Sequence, residues 1–292
     1  MRIGVLGKSL EDEHVKQIVQ ELGKRGVEAP FLKPREFKAK VSVEDRVYCS
    51  GVRVDNLDAL IVRSLPGGSP EQVFFRMDVL HRLRRLGVVV VNPPLSIEIA
   101  ADKYRVLTIL EDEGIPVPRT VACENFWDAM DAFEELGGDV VVKPLFGSLG
   151  RGVMRVEDRD LAYRVFRALQ LSRCVYYLQE YIPHGNVDLR MFVVGDRVVA
   201  SMQRVGGTWK TNVSQGAEPR PYNPTPEEER LAVRASRAVG CEYSGVDLVK
   251  TTDGRLYVVE VNSMPGWMGL QRVSKTKVVE EVVNHVIQLA SR

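Results

Sequence analysis

An excess of charge of either sign is missing from this chain of 292 residues: 40 lysines and arginines stand against 39 aspartates and glutamates, a formal net charge of +1. That balance gives no reason to expect a polyanion as the main partner, so nucleic acid is not expected. Paired cysteines are missing too. Cys49, Cys123, Cys174 and Cys241 lie far apart, which argues against a zinc site or a disulfide frame and for small buried residues in a reducing compartment. His14, His81, His184 and His285 are as scattered, so a histidine metal centre is not expected. No apolar run is long enough to span a bilayer. The opening MRIGVLGKSL enters a strand without the regions of a signal peptide. A soluble cytoplasmic protein, not a membrane protein, is expected. Internal repeats and low-complexity tails are absent, as are a Ser-His-Asp or Cys-His constellation and the G-x-G-x-x-G spacing that Gly4 and Gly7 would need for a dinucleotide site.

What is present is a hydrophobic share of 45%, enough for a large core divided into two or three lobes. The first third alternates strands (RIGVLG, VEAPFLK, ALIVRS, VVVVN) with helical patterns at about 11–26 and 71–86 and a short hairpin-like insert. This alternation predicts a parallel sheet covered by helices, an α/β lobe of Rossmann-like type. Arg63, at the carboxyl end of a strand and before SLPGGSP, stands where open α/β sheets bind ligands, although a solvated loop arginine would look the same. A helix over about 96–114 carries Lys103, and the prolines of IPVPRT end it. Residues 120–182 read as strand, helix, strand, glycine loop, strand, helix, strand, a small α+β lobe. Antiparallel strands turning at Gly195-Asp196, a polar glycine-rich loop, a helix at 226–239, a hairpin and a last helix at 274–290 complete the chain. The expected divisions are 1–95, 96–119, 120–182 and 183–292.

Four stretches carry chemistry. In GVDLVKTTDGRLYVVEVN, Asp253-Gly254 is a turn signal. A loop of two or four residues places Asp247 opposite Glu260, with Asn262 on the face of Glu260; a loop of three breaks that register. Like charges opposed across strands suit a divalent cation such as Mg²⁺, which takes its remaining ligands from water and phosphates; pairing of the acids with Lys250 or Arg255 is the plainer reading. In VVVKPLFGSLGRGV, Lys143 precedes a loop with Gly147, Ser148, Gly150 and Gly152, whose backbone N–H groups could cradle anionic oxygens. The order differs from a P-loop, and an ordinary glycine turn is the alternative. In VYYLQEYIP, Gln179, Glu180, Tyr181 and Ile182 could hold an adenine edge; an edge strand showing polar groups to water is the other reading. Asp188 and Arg190 share a strand face, suited to ribose hydroxyls and phosphate or to a cross-sheet ion pair. Arg204, Lys210 and Asn212 sit near a strand end and in the following loop, with Trp209 read as a packing residue.

Taken in order, these stretches resemble the ATP-grasp superfamily and, within it, the RimK-like α-L-glutamate ligases. The elements that carry the resemblance are KPLFGSLGRGV, QEYI before DLRMFVVGDRVVA, WKTN before QGA, and VDL with VEVNSMPG. The likeness runs from about Asn92 to the last helix, behind a pre-ATP-grasp domain. The wording KPLFGSLGRG is most similar to archaeal ligases acting on tetrahydromethanopterin or, in close relatives, on the deazaflavin coenzyme. It departs from LysX-type ligases at Leu149 and from the ribosomal-protein ligase at Lys210, a point charge where that enzyme has a bidentate arginine. The resemblance implies ATP between two lobes, with Lys103, Lys143, Ser148, Gly150, Lys210 and Asn212 toward the phosphates, Gln179 to Ile182 at adenine and Asp188 at ribose. It implies Mg²⁺ or Mn²⁺ on Asp247, Glu260 and Asn262, and charge stabilisation by Arg190, Arg204 and Lys210. Arg63 and Ser263 would face the substrate. The implied reaction joins L-glutamate to an acceptor carboxylate through an acyl phosphate, on a small molecule or an acidic carrier protein. A homo-oligomer is expected, and a non-catalytic ATP-binding protein is the reading from another class.

Overall fold

The computed structural model describes residues 1–44, 46–147 and 150–292. Ser148, expected at the phosphates, lies outside them. The amino-terminal lobe is built on strands β1 (Ile3–Leu6), β2 (Phe31–Leu32), β3 (Phe37–Ala39), β4 (Val47–Cys49), β5 (Val52–Arg53), β6 (Ala59–Val62) and β7 (Val89–Val91). The strands pair in parallel in the order β2-β1-β6-β7, while β3, β4 and β5 form the separate antiparallel insert. Four consecutive buried residues in β1 and in β6 explain the parallel arrangement, since a strand covered on both faces reads as a continuous apolar run. Helices α1 (Glu13–Lys24) and α2 (Pro70–Arg85) are the crossovers, started by the capping side chains of Asp12 and Ser69.

One expected helix is two. Asp102 has an extended backbone (φ −99°, ψ 104°) between α3 (Pro94–Ala101) and α4 (Lys103–Asp112). Its carboxylate accepts from the N–H groups of Tyr104 and Arg105 at 3.0 and 3.1 Å. An aspartate that competes for free amides in this way stops one helix and caps the next, which puts Lys103 at the exact start of α4.

The small lobe follows the expected order: β8 (Thr120–Cys123), α5 (Phe126–Glu135), β9 (Val140–Val142), β10 (Met154–Val156), α6 (Arg159–Leu171) and β11 (Tyr176–Glu180). Its sheet order is β10-β9-β11-β8, so β11 has neighbours on both sides and is not an edge strand. The carboxyl-terminal sheet runs β14-β13-β12-β15-β16, with β12 (Val187–Val194), β13 (Arg197–Val205), β14 (Glu218–Pro221), β15 (Tyr243–Lys250) and β16 (Leu256–Asn262). Helix α7 (Pro226–Ala238) packs on it, and α8 (Met268–Gln271) and α9 (Val278–Ala290) end the fold. Within the polar glycine-rich loop, β14 is an addition that the sequence reading did not foresee.

The lobes share cores. Helix α9 closes against α1, and one buried cluster runs from Ile3 and Val15 through Phe192 and Tyr243 to Trp267 and Val286. Trp267 has no solvent contact. Its ring meets His14 and Phe192 edge to face, and its Nε1 donates to Gln17 Oε1 at 2.8 Å. No helix among the described residues is long and apolar enough to cross a membrane. Because Trp267 joins both lobes, Trp267→Ala should lower the unfolding free energy by about 3–5 kcal/mol. A urea midpoint equal to that of the parent would refute the shared core.

Candidate active site

The hairpin that ends in Asn262 reaches its register by a route the turn signal did not reveal. Lys250 pairs with Leu256, so the loop has five residues, 251–255, with Gly254 at φ +92°. An odd loop alone would set Asp247 against Val259. A β-bulge between Leu248 and Asp247 skips Val259 and brings Asp247 opposite Glu260. The same bulge turns Val259 into the cleft beside Glu260.

Across the sheet, β12 alternates its charges against both neighbours. Asp188 pairs with Arg204 on β13, and Arg190 pairs with Asp247 on β15. Asp188, Arg204 and Asp247 are each at least 95% buried. Arg204 forks onto Asp188 through Nε and Nη2 at 2.5 and 2.6 Å, and its Nη2 also lies 2.9 Å from Asp247 Oδ2. Thr211 Oγ1 donates to Asp188 as well. Burial works against the charge on Arg204, but Asp247 and Asp188 more than offset it and raise its pKa. Burial pushes the Asp188 carboxyl up, against the pull of Arg204 and Thr211. In this state both Asp188 oxygens are engaged within the protein. The plainer readings of these residues are thus partly realised: ion pairs cross the sheet, but Lys250 and Arg255 turn instead to Glu228 and Asp253.

Asp247 Oδ1 is the exception. Arg190 Nε lies 2.7 Å away yet out of line for a hydrogen bond, so this oxygen is buried without one. With its amide group turned over, Asn262 donates to Glu260 Oε1 at 3.1 Å and accepts from Arg190 Nη1 at 3.2 Å. Gly245 makes room for this row, since a Cβ there would stand 2.2 Å from Arg190 Nη1 and 2.9 Å from Pro265 Cβ. Among the described residues no three His, Cys, Asp or Glu side chains converge on one point. Two carboxylates, one of them with a buried oxygen that accepts no hydrogen bond, and one amide nevertheless fit Mg²⁺, which takes few protein ligands and keeps places for phosphate and water.

Opposite this row, the small lobe supplies the other wall of a cleft of about 980 Å³, open space at its mouth included. Lys103, Lys143, Gly150, Gln179, Glu180, Tyr181, Ile182, Asp188, Arg204, Lys210, Asn212, Asp247 and Glu260, all singled out from the sequence, line it. Arg190 and Asn262 stand beside Asp247 and Glu260 in the hairpin row. Arg63 and Ser263 are not in the lining. Arg63 is 8% exposed, donates to the Met264 carbonyl at 3.1 Å and lies over the Trp267 ring, so it is not a solvated loop residue. Its Nε is buried without a partner.

Several lining side chains already hold one another. Lys143 Nζ donates to Gln179 Oε1 at 2.6 Å, and Gln179 Nε2 donates to Thr120 Oγ1 at 2.9 Å. Arg119 N and Nε both bond the Glu180 carboxylate at 2.8 Å. Lys103 Nζ donates to the Gly147 carbonyl at 3.0 Å and so props the start of the glycine loop. Gly150 (φ +66°) meets the polar loop of the other lobe so closely that a Cβ would lie 2.5 Å from Asn212 Oδ1. Sequence reasoning missed Thr211, which holds Asp188, and the apolar floor of Val249 and Val259. It also undervalued Trp209, whose ring meets Tyr181 edge to face in the cleft wall. A lone threonine and bulge-dependent valines carry no signal in sequence.

Two family models cover the chain: the RimK PreATP-grasp domain over residues 1–97 and the RimK-like ATP-grasp domain over residues 100–286. The chain belongs to the RimK-like ATP-grasp family. It is 35% identical to the tetrahydromethanopterin:α-L-glutamate ligase of Methanocaldococcus jannaschii, with 99% of each chain covered. It is 34% identical to a probable α-L-glutamate ligase of Shewanella amazonensis, over 98% of this chain and 95% of that one. Among solved structures, the RimK domain ATP-grasp protein of Sphaerobacter thermophilus superposes with a TM-score of 0.77 at 24% identity, covering 98% of this chain and 100% of that one. The ATP-grasp ligase PsnB with minimal precursor, Mg and ADP gives 0.78 at 22%, covering 99% and 98%. The fold is thus the α/β ATP-grasp fold behind a pre-ATP-grasp domain. This RimK-like protein is an ATP-grasp ligase that forms a carbon–nitrogen amide bond, in a family that uses ATP with Mg²⁺.

A phosphate held by Lys143 would make nucleotide binding depend on pH. Lys143 retains partial solvent contact, but desolvation is the largest influence on its ammonium and lowers its pKa to about 8, against the pull of Glu260. Below that value the ammonium is charged and ready for phosphate; above it the charge is lost. Phosphate favours the charged form, so ATP affinity should fall as pH rises through 8, and binding above pH 8 should take up a proton. Calorimetry in buffers of different ionisation enthalpy checks this, and pH-independent affinity from 7 to about 9.5 would remove the role given to Lys143.

Proposed function

We propose that this ligase activates a carboxylate of a small pterin-type coenzyme as an acyl phosphate and joins it to the amine of L-glutamate, releasing ADP and phosphate. The observation that carries the reading is the Asp247 oxygen buried without a hydrogen bond, on a residue that stands opposite Glu260 and lines one cleft with it and Lys143. Residues 120–182 and 183–292 act as the two ATP-holding lobes, and 1–95 as the acceptor-side lobe.

Gln179 to Ile182 hold adenine between the apolar side chains of both lobes. Asp188 holds ribose, for which its bonds to Thr211 and Arg204 must partly yield. Lys103, Lys143 and Lys210 meet the phosphates, with Asn212 and Gly150 beside them and Ser148 assigned there from the sequence alone. Asp247, Glu260 and Asn262 would hold Mg²⁺ or Mn²⁺, which when bound neutralises phosphate charge. The acceptor carboxylate attacks the γ-phosphorus, and Arg190, Arg204 and Lys210 stabilise the charge that builds on the transferring oxygens. Glutamate nitrogen then attacks the acyl carbon and phosphate departs. No side-chain nucleophile is needed, because positioning and charge neutralisation supply the catalysis. Arg63, with its unpartnered Nε, and Ser263 border the substrate side. Tetrahydromethanopterin is favoured as acceptor because relatives bearing that name match over nearly the full length of the chain, at 35% and 30% identity.

Purified protein with Mg-ATP and L-glutamate should release ADP with tetrahydromethanopterin and give a product heavier by one glutamyl unit. The same product with the deazaflavin coenzyme or an acidic carrier-protein tail would replace the acceptor but keep the chemistry. Asp247→Asn and Glu260→Gln should each lower turnover by at least about a thousandfold with the fold retained. Normal turnover in either would sink the metal assignment, and ATP binding without ADP release for any acceptor would favour a binding protein.

A further inference from the structure

The amino-terminal sheet ends on a residue to which the reading above gives no task. Asn92 follows β7, has no solvent contact, and directs its hydrogen bonds to the carboxyl-terminal lobe. Its Oδ1 accepts from the N–H groups of Glu242 at 2.7 Å and Tyr243 at 3.1 Å. Its Nδ2 donates to the carbonyl of Tyr243 at 2.8 Å and to that of Ser263. All four bonding positions of the amide are filled.

Those partners lie at a particular place in the hairpin. Tyr243 opens β15, Ser263 follows β16, and the ladder between the strands has its last rung at Gly245 and Asn262. By bonding both the N–H and the carbonyl of Tyr243, the Asn92 side chain imitates a neighbouring strand residue, and by bonding Ser263 it ties the second strand to the first. Asn262 is one residue from that tie and Glu260 three. At this end β15 also pairs with β12 through Tyr243 and Val194, but it is Asn92 that bonds both Tyr243 and Ser263, and the connecting loop is at the opposite end.

We infer that Asn92 is a positioning residue for the divalent cation, holding the open end of the hairpin so that Glu260 and Asn262 keep their places opposite Asp247. The inference rests on the metal assignment made above. Mg²⁺ tolerates little departure from its preferred geometry, so a set of three protein ligands depends on the groups that orient them. Mere attachment between lobes would make Asn92 matter for stability and leave the balance between metal and nucleotide unchanged.

Asn92→Asp separates the two. It preserves size and the acceptor that faces Glu242 and Tyr243 N–H, but turns an oxygen toward the carbonyls of Tyr243 and Ser263. Mn²⁺ affinity in the complex with ADP, read by electron paramagnetic resonance, should fall about tenfold or more. ADP affinity in excess chelator should stay that of the parent. Unchanged Mn²⁺ affinity in the folded variant overturns the inference, as does an equal loss of metal-free ADP binding. If Asn92→Asp does not fold, Asn92→Ser, which keeps a smaller polar group, is read in the same way. Glu260→Gln and the parent protein mark the scale. A parent that binds no Mn²⁺ with ADP removes the metal assignment itself, whereas loss in Glu260→Gln but not at Asn92 removes only the positioning role.

Discussion

Asp188 and Asp247 lie on adjacent strands with almost no contact with solvent, and carboxylates so placed persist only if cations and hydrogen bonds enclose them. Arg204 meets both, Arg190 lies against Asp247, and Thr211 completes the shell of Asp188. Removing one member of a buried set of this kind typically costs about 3–5 kcal/mol, because the remaining charge is left uncompensated. Much else in the carboxyl-terminal lobe follows from that constraint. Gly245 lacks a side chain because the Arg190 guanidinium lies where its Cβ would be, and the polar loop must return to the sheet to bring Thr211 to Asp188. One oxygen, Asp247 Oδ1, is buried beside Arg190 without a hydrogen bond.

The cleft is therefore pre-charged in a balanced way. Cations from both lobes face acidic residues of the sheet, and several are held by neutral partners: Lys143 by Gln179 and Lys103 by loop carbonyls. These bonds orient the ammonium groups without neutralising them. Desolvation lowers the pKa of both lysines, against the pull of Glu260.

The amino-terminal lobe does more than precede the other lobes. Trp267 is seated against His14, Gln17 and Phe192, Met264 is held by Arg63, and Ser263 and Tyr243 are held by Asn92. The segment just after the hairpin acids is thus fastened at three points to a different lobe.

The order of elements, the parallel first sheet and most of the cleft lining were legible in the residues themselves. Apolar periodicity reports which faces are buried, and KPLFGSLGRGV, QEYI and VEVN are local enough to be read as short strings. The family resemblance, too, was carried by those strings. Their failures are equally local in cause. Asp102 broke a helix by capping with its own side chain, and the hairpin loop has five residues where a tight turn was expected. Asp247 meets Glu260 only because a bulge at Val259 corrects the count. A bulge is decided by the pairing of two strands, and pairing is a tertiary fact. The burial of Arg63 and the four bonds of Asn92 likewise depend on residues 150 or more positions away. Sequence alone determined which groups this protein has for its chemistry. Only the folded chain decided which of them are enclosed and which hold one another, because desolvation and close packing exist only once distant strands meet.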